Sequence, residues 1–323
     1  MFGKRADGWL VKDIDPIVSM SPYFMPMRCD AQVMLEHELD YESLARYIVR
    51  KGEEGYKISF MDIIIAAYVR TIAEIPMLNR FIANKRIYTR NELCVSFVVL
   101  QNLPDGTQEE NTVKVKYDPH DTIFDVAARN QKEIKGASVG QANNNTLKIV
   151  KLLKSPIVAN FAVGLARLLD RYGLIPKVLL DASPFHTGMF FTNVASIGLP
   201  AVKHHIYNFG TTSLFVSMGS NVRRLEMGKG GKIKRSRKIP LGIVADERIC
   251  PGLAYSKVLA HFFECMKEPE RLELPPEQVR FDEGHTYAAP GVKIKKRRFR
   301  RFLRLVKLRS SKSDNDDISP MVG

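Results

Sequence analysis

The residues best placed for chemistry are Asp246, Glu247 and Arg248, which follow an apolar run from Ile243 to Ala245. A strand that is buried up to Ala245 and then presents ionisable groups holds them on rigid backbone at the end of a sheet. Desolvation at such a position shifts the pKa of a carboxyl group. Glu247 is therefore the first candidate for a general acid or base. A solvated turn with a local ion pair is the alternative interpretation of the same residues.

Three histidines are alternative bases. His186 lies three residues before a predicted strand that starts at Met189, and His204 and His205 precede the segment around Asn208. Each of them also fits an ordinary surface or core histidine, so all three stay as alternatives to Glu247. The four cysteines are far apart and form no Cys-x-x-Cys pair, so the sequence predicts neither a disulfide framework nor a metal site.

The composition is that of a globular protein, with 45% hydrophobic and 26% charged residues in 323. We predict a single domain over residues 1–290, with an apolar helical insert at about 147–182, and a tail over residues 291–323. The sequence contains no run of 18 uncharged apolar residues and no N-terminal signal-peptide pattern. We therefore expect a cytoplasmic protein, either free or peripheral to the inner face of the membrane.

The tail carries most of the positive charge. Residues 291–323 contain 11 Lys and Arg against 3 Asp, which gives +8 of the net +14. Between 293 and 309, ten of seventeen residues are basic, and apolar side chains recur at helical spacing at Phe299, Phe302, Leu303 and Val306. This pattern is typical of a basic amphipathic helix on an anionic membrane surface. A solvated tail or a nonspecific polyanion binder is the alternative, and we expect no specific nucleic-acid partner.

The hydrophobic periodicity predicts strands and helices in irregular alternation, which is typical of an α/β domain with a mixed sheet. The clearest helix spans residues 59–75 and starts with Ser59 and Asp62 in a pattern that resembles a capping box. Strands are predicted at 189–194, 213–218 and 239–245, and a further helix follows Gly252.

The insert contains an unusually apolar helix. Ser155 and Pro156 are suited to start it and Gly173 to end it, while only Asn160 and Arg167 interrupt the apolar residues of 157–169. A helix that is apolar almost all round is predicted to be buried against protein. The functional alternative is a lid or wall for an acyl chain.

Four segments together resemble the catalytic domain of the 2-oxoacid dehydrogenase acyltransferases, which is similar to chloramphenicol acetyltransferase. In order and spacing they are Ile58–Phe81, Met189–Gly198, Ile206–Gly219 and Pro240–Gly252. The resemblance implies a two-layer α/β fold with a mixed sheet and packed helices, and a homotrimer with active sites between adjacent subunits. We expect neither a lipoyl domain nor a subunit-binding domain, and hence no lipoyl attachment site.

The family has the pattern Asp-His-Arg-x-x-Asp-Gly at the end of its last strand. The matching residues here are Asp246, Glu247, Arg248, Pro251 and Gly252. Glu247 therefore stands at the position of the catalytic histidine, and Pro251 replaces the second aspartate. The resemblance makes Asp246, Arg248 and Gly252 supporting residues.

The family also has a serine whose hydroxyl donates a hydrogen bond to the oxyanion of the reaction. The matching position is Thr192, which is followed by Asn193 as a further supporting residue. The resemblance implies an acyltransferase that uses a coenzyme A thioester, acyl-CoA, as donor and an unidentified thiol, hydroxyl or amine as acceptor. Glu247 would be the base and Thr192 the oxyanion donor.

The departures from the pattern leave an alternative function. A carboxylate is a weaker base than imidazole at neutral pH unless it is desolvated. Glu247 and Pro251 are therefore also compatible with a catalytically degenerate acyltransferase-like scaffold that serves binding or membrane-associated assembly.

Overall fold

The computed structural model of the chain describes residues 5–102, 108–138, 155–227, 231 and 233–282. The strands are β1 (Gly8–Leu10), β2 (Gln32–Asp40), β3 (Arg80–Ala83), β4 (Arg86–Arg90), β5 (Leu93–Asn102), β6 (Gln108–Tyr117), β7 (Met189–Asn193), β8 (Leu214–Met218), β9 (Val222–Met227) and β10 (Ile233–Asp246). The helices are α1 (Pro16–Phe24), α2 (Tyr41–Glu53), α3 (Phe60–Glu74), α4 (Ile123–Ser138), α5 (Pro156–Arg171), α6 (Lys177–Ala182) and α7 (Gly252–Lys267).

The main sheet has the order β2-β10-β8-β7-β5-β6, and β9 pairs with the first half of β10. β7 is parallel to both β5 and β8, whereas the other pairs of this sheet are antiparallel. The predicted mixed sheet is thus confirmed. A second sheet of order β1-β4-β3 lies beside it and includes the first strand of the N-terminal segment.

The helices α2, α3, α4 and α7 pack on one face of the main sheet, where the principal core lies. α3 is the centre of this layer, because every residue from Asp62 to Ala73 is buried. Its predicted start is confirmed: Asp62 N donates to Ser59 Oγ at 3.3 Å, and Ser59 N donates to Asp62 Oδ2 at 2.8 Å. Two backbone groups that would lack partners are thereby satisfied.

The opposite face of the sheet is covered by the segment that leads from β7 to β8. Ile206 of this segment packs against Phe190, Phe215 and Val244, one from each of three neighbouring strands. The approach is close enough to require glycine at position 242, since a Cβ there would lie 2.2 Å from Val202 O. The sheet thus has a helical layer on one side and a thin extended cover on the other.

The apolar insert differs from its prediction in one respect. α5 begins at Pro156 after Ser155, and Gly173 follows its end with a φ of +68°, as predicted. The predicted burial is wrong for the single chain, because no residue of α5 is buried. Its small residues Ala159, Ala162 and Ala166 are partly covered, while its large apolar residues other than Leu169 are exposed. Among the described helices, none is long and apolar enough to cross a bilayer.

Several predictions concern parts of the chain outside the described residues. These are the first residues of the insert up to 154, and the tail at 291–323 with its amphipathic helix at 293–309. The domain boundary near residue 290 accordingly stays a prediction.

Candidate functional site

The predicted catalytic turn lies where β10 ends. Asp246 is the last residue of the strand, and residues 247–249 form a single 3-10 turn. Glu247 is exposed on this turn, whereas the exposed fractions of Asp246 and Arg248 are 0% and 2%. The alternation leaves one carboxylate available for chemistry between two buried charges.

The buried neighbours of Glu247 hold the turn in place. The Arg248 guanidinium binds Asp246 at both ends, with Nε to Oδ1 at 2.8 Å and Nη2 to Oδ2 at 2.7 Å. Arg248 Nη1 also donates to Met25 O at 2.8 Å, which ties the turn to the N-terminal segment. A bidentate pair of this kind fixes direction as well as distance. Asp246 and Arg248 are therefore placed to position Glu247 rather than to react.

Arg28 completes this network, although no sequence pattern predicts it. Its side chain is buried, with Nε 3.5 Å from Asp246 Oδ2. Its Nη1 donates to the backbone oxygens of Tyr207 at 2.9 Å and Gly210 at 3.1 Å. Burial lowers the pKa of Arg28 and the Asp246 carboxylate opposes that change. Since these partners lie far away along the chain, no local sequence pattern marks Arg28.

Gly252 and Cys250 follow on the same turn. Gly252 is the first residue of α7, and a Cβ added there would meet nothing within 4 Å. The position therefore needs no glycine for steric reasons in the single chain. Burial raises the pKa of Cys250 to about 12, so this thiol is not a nucleophile at neutral pH.

Thr192 lies near the end of β7 and lines an apolar pocket of about 280 Å³. The pocket is lined by Ser59, Met61, Phe97, Val98, Val99, Leu100, Glu110, Ile134, Thr192, Asn193, Val194, Ser196, Ile197 and Met218. Within the described residues the Thr192 hydroxyl makes no hydrogen bond, and the buried Oδ1 of Asn193 also has no partner. Both groups are thus free to bind a ligand in this pocket.

Glu247 and Thr192 do not meet within one chain. In the sheet, Thr192 pairs with Ser217, and Ser217 pairs with Gly242. Glu247 lies five residues beyond Gly242, which corresponds to roughly 16 Å along the strands, with a further offset of about 10 Å across them. A site that uses both groups therefore requires a second protomer.

The alternative bases lie elsewhere. His186 is buried, with Nδ1 2.8 Å from Ser183 Oγ and Nε2 3.3 Å from Asp170 Oδ2, so it connects α5 to the segment before β7. His204 stacks on Phe215, with ring centroids 4.4 Å apart, on the outer face of the sheet. His205 is exposed beside it. The structure brings none of these three rings next to Thr192 or Glu247 in the single chain: their described contacts are with other groups.

The fold is that of acyltransferase catalytic cores. A structure of a probable dihydrolipoamide acetyltransferase from Listeria monocytogenes superimposes with a TM-score of 0.50 and 16% identity, over 80% of this chain and 94% of the other. The cubic core of the pyruvate dehydrogenase multienzyme complex gives 0.53 and 12%, over 82% and 94%. The predicted fold is thereby confirmed. No protein-family model and no curated protein matches the sequence.

A third structure with this fold comes from an enzyme whose catalytic mechanism was investigated. It is the dihydrolipoamide acetyltransferase of Azotobacter vinelandii, in which the roles of a serine, a histidine and an asparagine in the catalytic mechanism were investigated. It superimposes with a TM-score of 0.53 and 12% identity, over 82% of this chain and 94% of the other.

Proposed function

We propose that this chain, which has the fold of an acyltransferase catalytic core, transfers an acyl group from a coenzyme A thioester to a thiol, hydroxyl or amine. The observation that carries the proposal is the unpaired hydroxyl of Thr192 in an apolar pocket. Such a pocket suits an acyl chain, and a hydroxyl at its wall suits the oxyanion that forms when the thioester carbonyl is attacked.

The proposed reaction assigns one role to each group. Glu247 removes the proton of the acceptor as its sulfur, oxygen or nitrogen atom attacks the carbonyl carbon, and Thr192 donates a hydrogen bond to the oxyanion. When the tetrahedral intermediate collapses, the carbon–sulfur bond breaks and the protonated Glu247 returns its proton to the thiolate of coenzyme A. The carboxylate is regenerated and no other reactant is needed.

We further propose that the site forms between two protomers of a homotrimer. Glu247 is exposed in the single chain and far from Thr192, so a neighbouring subunit must both approach and desolvate it. The cubic core of the pyruvate dehydrogenase complex is an assembly of chains with this fold, which supports an oligomer here. Desolvation at the interface would make the carboxylate a stronger base.

The direct test is turnover of acyl-CoA by the Glu247→Gln variant, measured as release of free thiol. Removal of a general base lowers turnover by about 10²- to 10⁴-fold. The matched control is Glu133→Gln, because Glu133 is an exposed glutamate of α4. Unchanged thiol release by the Glu247 variant would refute its role, and no release by any form would favour a scaffold without activity.

A further inference from the structure

A strongly cationic cavity lies between α5 and the β3–β4 turn, and we name it the arginine cavity. It has a volume of about 490 Å³. Its lining residues are Pro26, Met27, Arg28, Ile82, Ala83, Asn84, Lys85, Arg167, Asp170, Arg171, Asn208, Phe209, Gly210 and Arg248. Five of these side chains are cationic and one is a carboxylate, so the cavity carries a strong excess of positive charge.

The positive charge of the arginine cavity is only partly neutralised. Asp246, which does not line the cavity, forms ion pairs with Arg28 and Arg248. The lining carboxylate Asp170 already contacts Arg5 and His186. The remaining cations are Arg167, Arg171 and Lys85, and the described residues place no carboxylate within 4 Å of them.

The contacts of Arg171 and Lys85 do not neutralise their positive charge. Arg171 Nε donates to the amide oxygen of Asn84 at 3.0 Å, and Lys85 Nζ lies 5.1 Å from the centre of the Tyr23 ring. Neither partner is an anion. Guanidinium groups around a cavity match the oxygens of a phosphate group, to which they donate paired hydrogen bonds.

The outer face of α5 adjoins this cavity and is apolar. Ile157, Phe161 and Leu168 are 81%, 72% and 52% exposed. Leu168 is three residues from Arg171, and residues at that spacing are neighbours on a helix surface. One helix thus presents cations to the cavity and, beside them, an apolar strip without a partner in the described structure.

Apolar residues are also exposed at Met27 and in the preceding helix α1. Met27 lines the cavity and is half exposed, and Phe24 and Ile17 of α1 are largely exposed. Exposed apolar surface next to a cationic pocket suits a molecule with an anionic head and a hydrocarbon chain.

We propose that the arginine cavity binds the phosphate head group of an anionic amphiphile whose hydrocarbon chain lies along the outer face of α5. This ligand satisfies both observations, since its head neutralises Arg167, Arg171 and Lys85 and its chain covers the exposed apolar side chains. A two-fold contact between two copies through this face fits less well, because it would bring two sets of unpaired cations together. The site does not depend on acyl transfer.

The first experiment compares soluble probes by titration calorimetry with the full-length protein and no acyl donor. Dioctanoyl phosphatidic acid below its micelle concentration carries head and chains, glycerol 3-phosphate only the head, and dioctanoylglycerol only the chains. We expect the complete lipid to bind at least about tenfold more tightly than either part, because head and chain contribute together. Equal binding of glycerol 3-phosphate would overturn the role of the chain.

The second experiment tests the residues. Arg167→Gln with Arg171→Gln should weaken binding of the soluble lipid by about 10- to 100-fold, since two charge-assisted contacts are lost. Phe161→Ser should weaken it by roughly 5- to 10-fold, because an aromatic ring no longer covers the chain. The controls are Arg223→Gln and Leu225→Ser on β9, where Leu225 is as exposed as Phe161, at 72%.

The outcomes separate the alternatives. All five substitutions lie at exposed positions, so thermal unfolding should show that each variant folds. If the double variant at Arg167 and Arg171 binds the soluble lipid as tightly as the wild type, the proposed site is refuted. If the protein binds phosphatidic acid vesicles but not the soluble lipid, the ligand is a membrane surface and not a single lipid molecule in the cavity. A change from oligomer to monomer with Phe161→Ser would assign the face to a second copy instead.

Discussion

Asp246, Glu247 and Arg248 are consecutive in sequence and have different physical tasks. Two of them form a buried ion pair that is joined by Arg28, and the third projects from the turn that the pair holds. Removal of one partner from such a pair leaves an uncompensated buried charge, which is why the pair fixes the turn strongly. The two groups with a proposed catalytic role are therefore Glu247 and, toward the other end of the sheet, Thr192.

The sequence located this turn because its signals are local. An apolar run followed by three charged residues identifies a strand end wherever the strand lies. It could not identify Arg28, whose contacts to Ile82, Tyr207 and Gly210 exist only after folding. It also could not show that Glu247 and Thr192 are separated within the chain, because this depends on the register of three strands.

The hydroxyl of Thr192 can be tested by two substitutions. Thr192→Ser keeps the hydrogen-bond donor and should keep most of the activity. Thr192→Val removes the donor at nearly constant volume and should lower turnover by about 10²- to 10³-fold. Thiol release from acyl-CoA measures both variants. Thr112→Val on the exposed side of β6 is the control, and equal activity of Thr192→Val and this control would refute the oxyanion role.

At the scale of elements, α5 shows what local sequence can and cannot specify. Its start at Pro156 and its end before Gly173 follow from cap and backbone preferences, which act within a few residues. The burial of α5 cannot be predicted in this way, because exposed apolar side chains indicate that a partner covers them without identifying that partner. The same limit applies to α1, whose apolar residues Ile17 and Phe24 are largely exposed.

The partly buried carboxylate of Asp170 helps to attach α5 to the domain. Asp170 near its end binds Arg5 and lies 3.3 Å from His186. Burial alone would raise the pKa of Asp170, but His186 and Arg5 lower it to about 2. Because the folded pKa is below the ordinary value, the stabilisation is present at neutral pH and is lost as the pH falls from about 4 to 2.

Asp170→Asn should therefore lower the free energy of unfolding by about 2 kcal/mol at pH 7, and the difference should vanish near pH 2. Urea unfolding at several pH values measures this. Asp30→Asn, at an exposed position, serves as the control and should cost well under about 1 kcal/mol throughout. A loss in Asp170→Asn that is independent of pH would show that the carboxylate contributes through packing alone.

In the whole molecule, the proposed function divides the catalytic groups of one chain between two half-sites. The turn with Glu247 and the pocket with Thr192 lie toward opposite ends of the central strands. In a cyclic trimer, a heterologous contact repeats around the ring and joins one end of each subunit to the other end of the next. This arrangement would give three equivalent complete sites from three incomplete chains.

We propose that each site takes Glu247 from one subunit and Thr192 from its neighbour, and mixing of subunits tests this arrangement directly. Glu247→Gln and Thr192→Val chains with different affinity tags are produced together, and oligomers that carry both tags are purified. Each parent variant alone has no intact site. Every mixed trimer, however, contains one junction at which both native residues meet, so thiol release should recover to about a third of the wild-type rate. Mixed trimers as inactive as their parents would contradict the account.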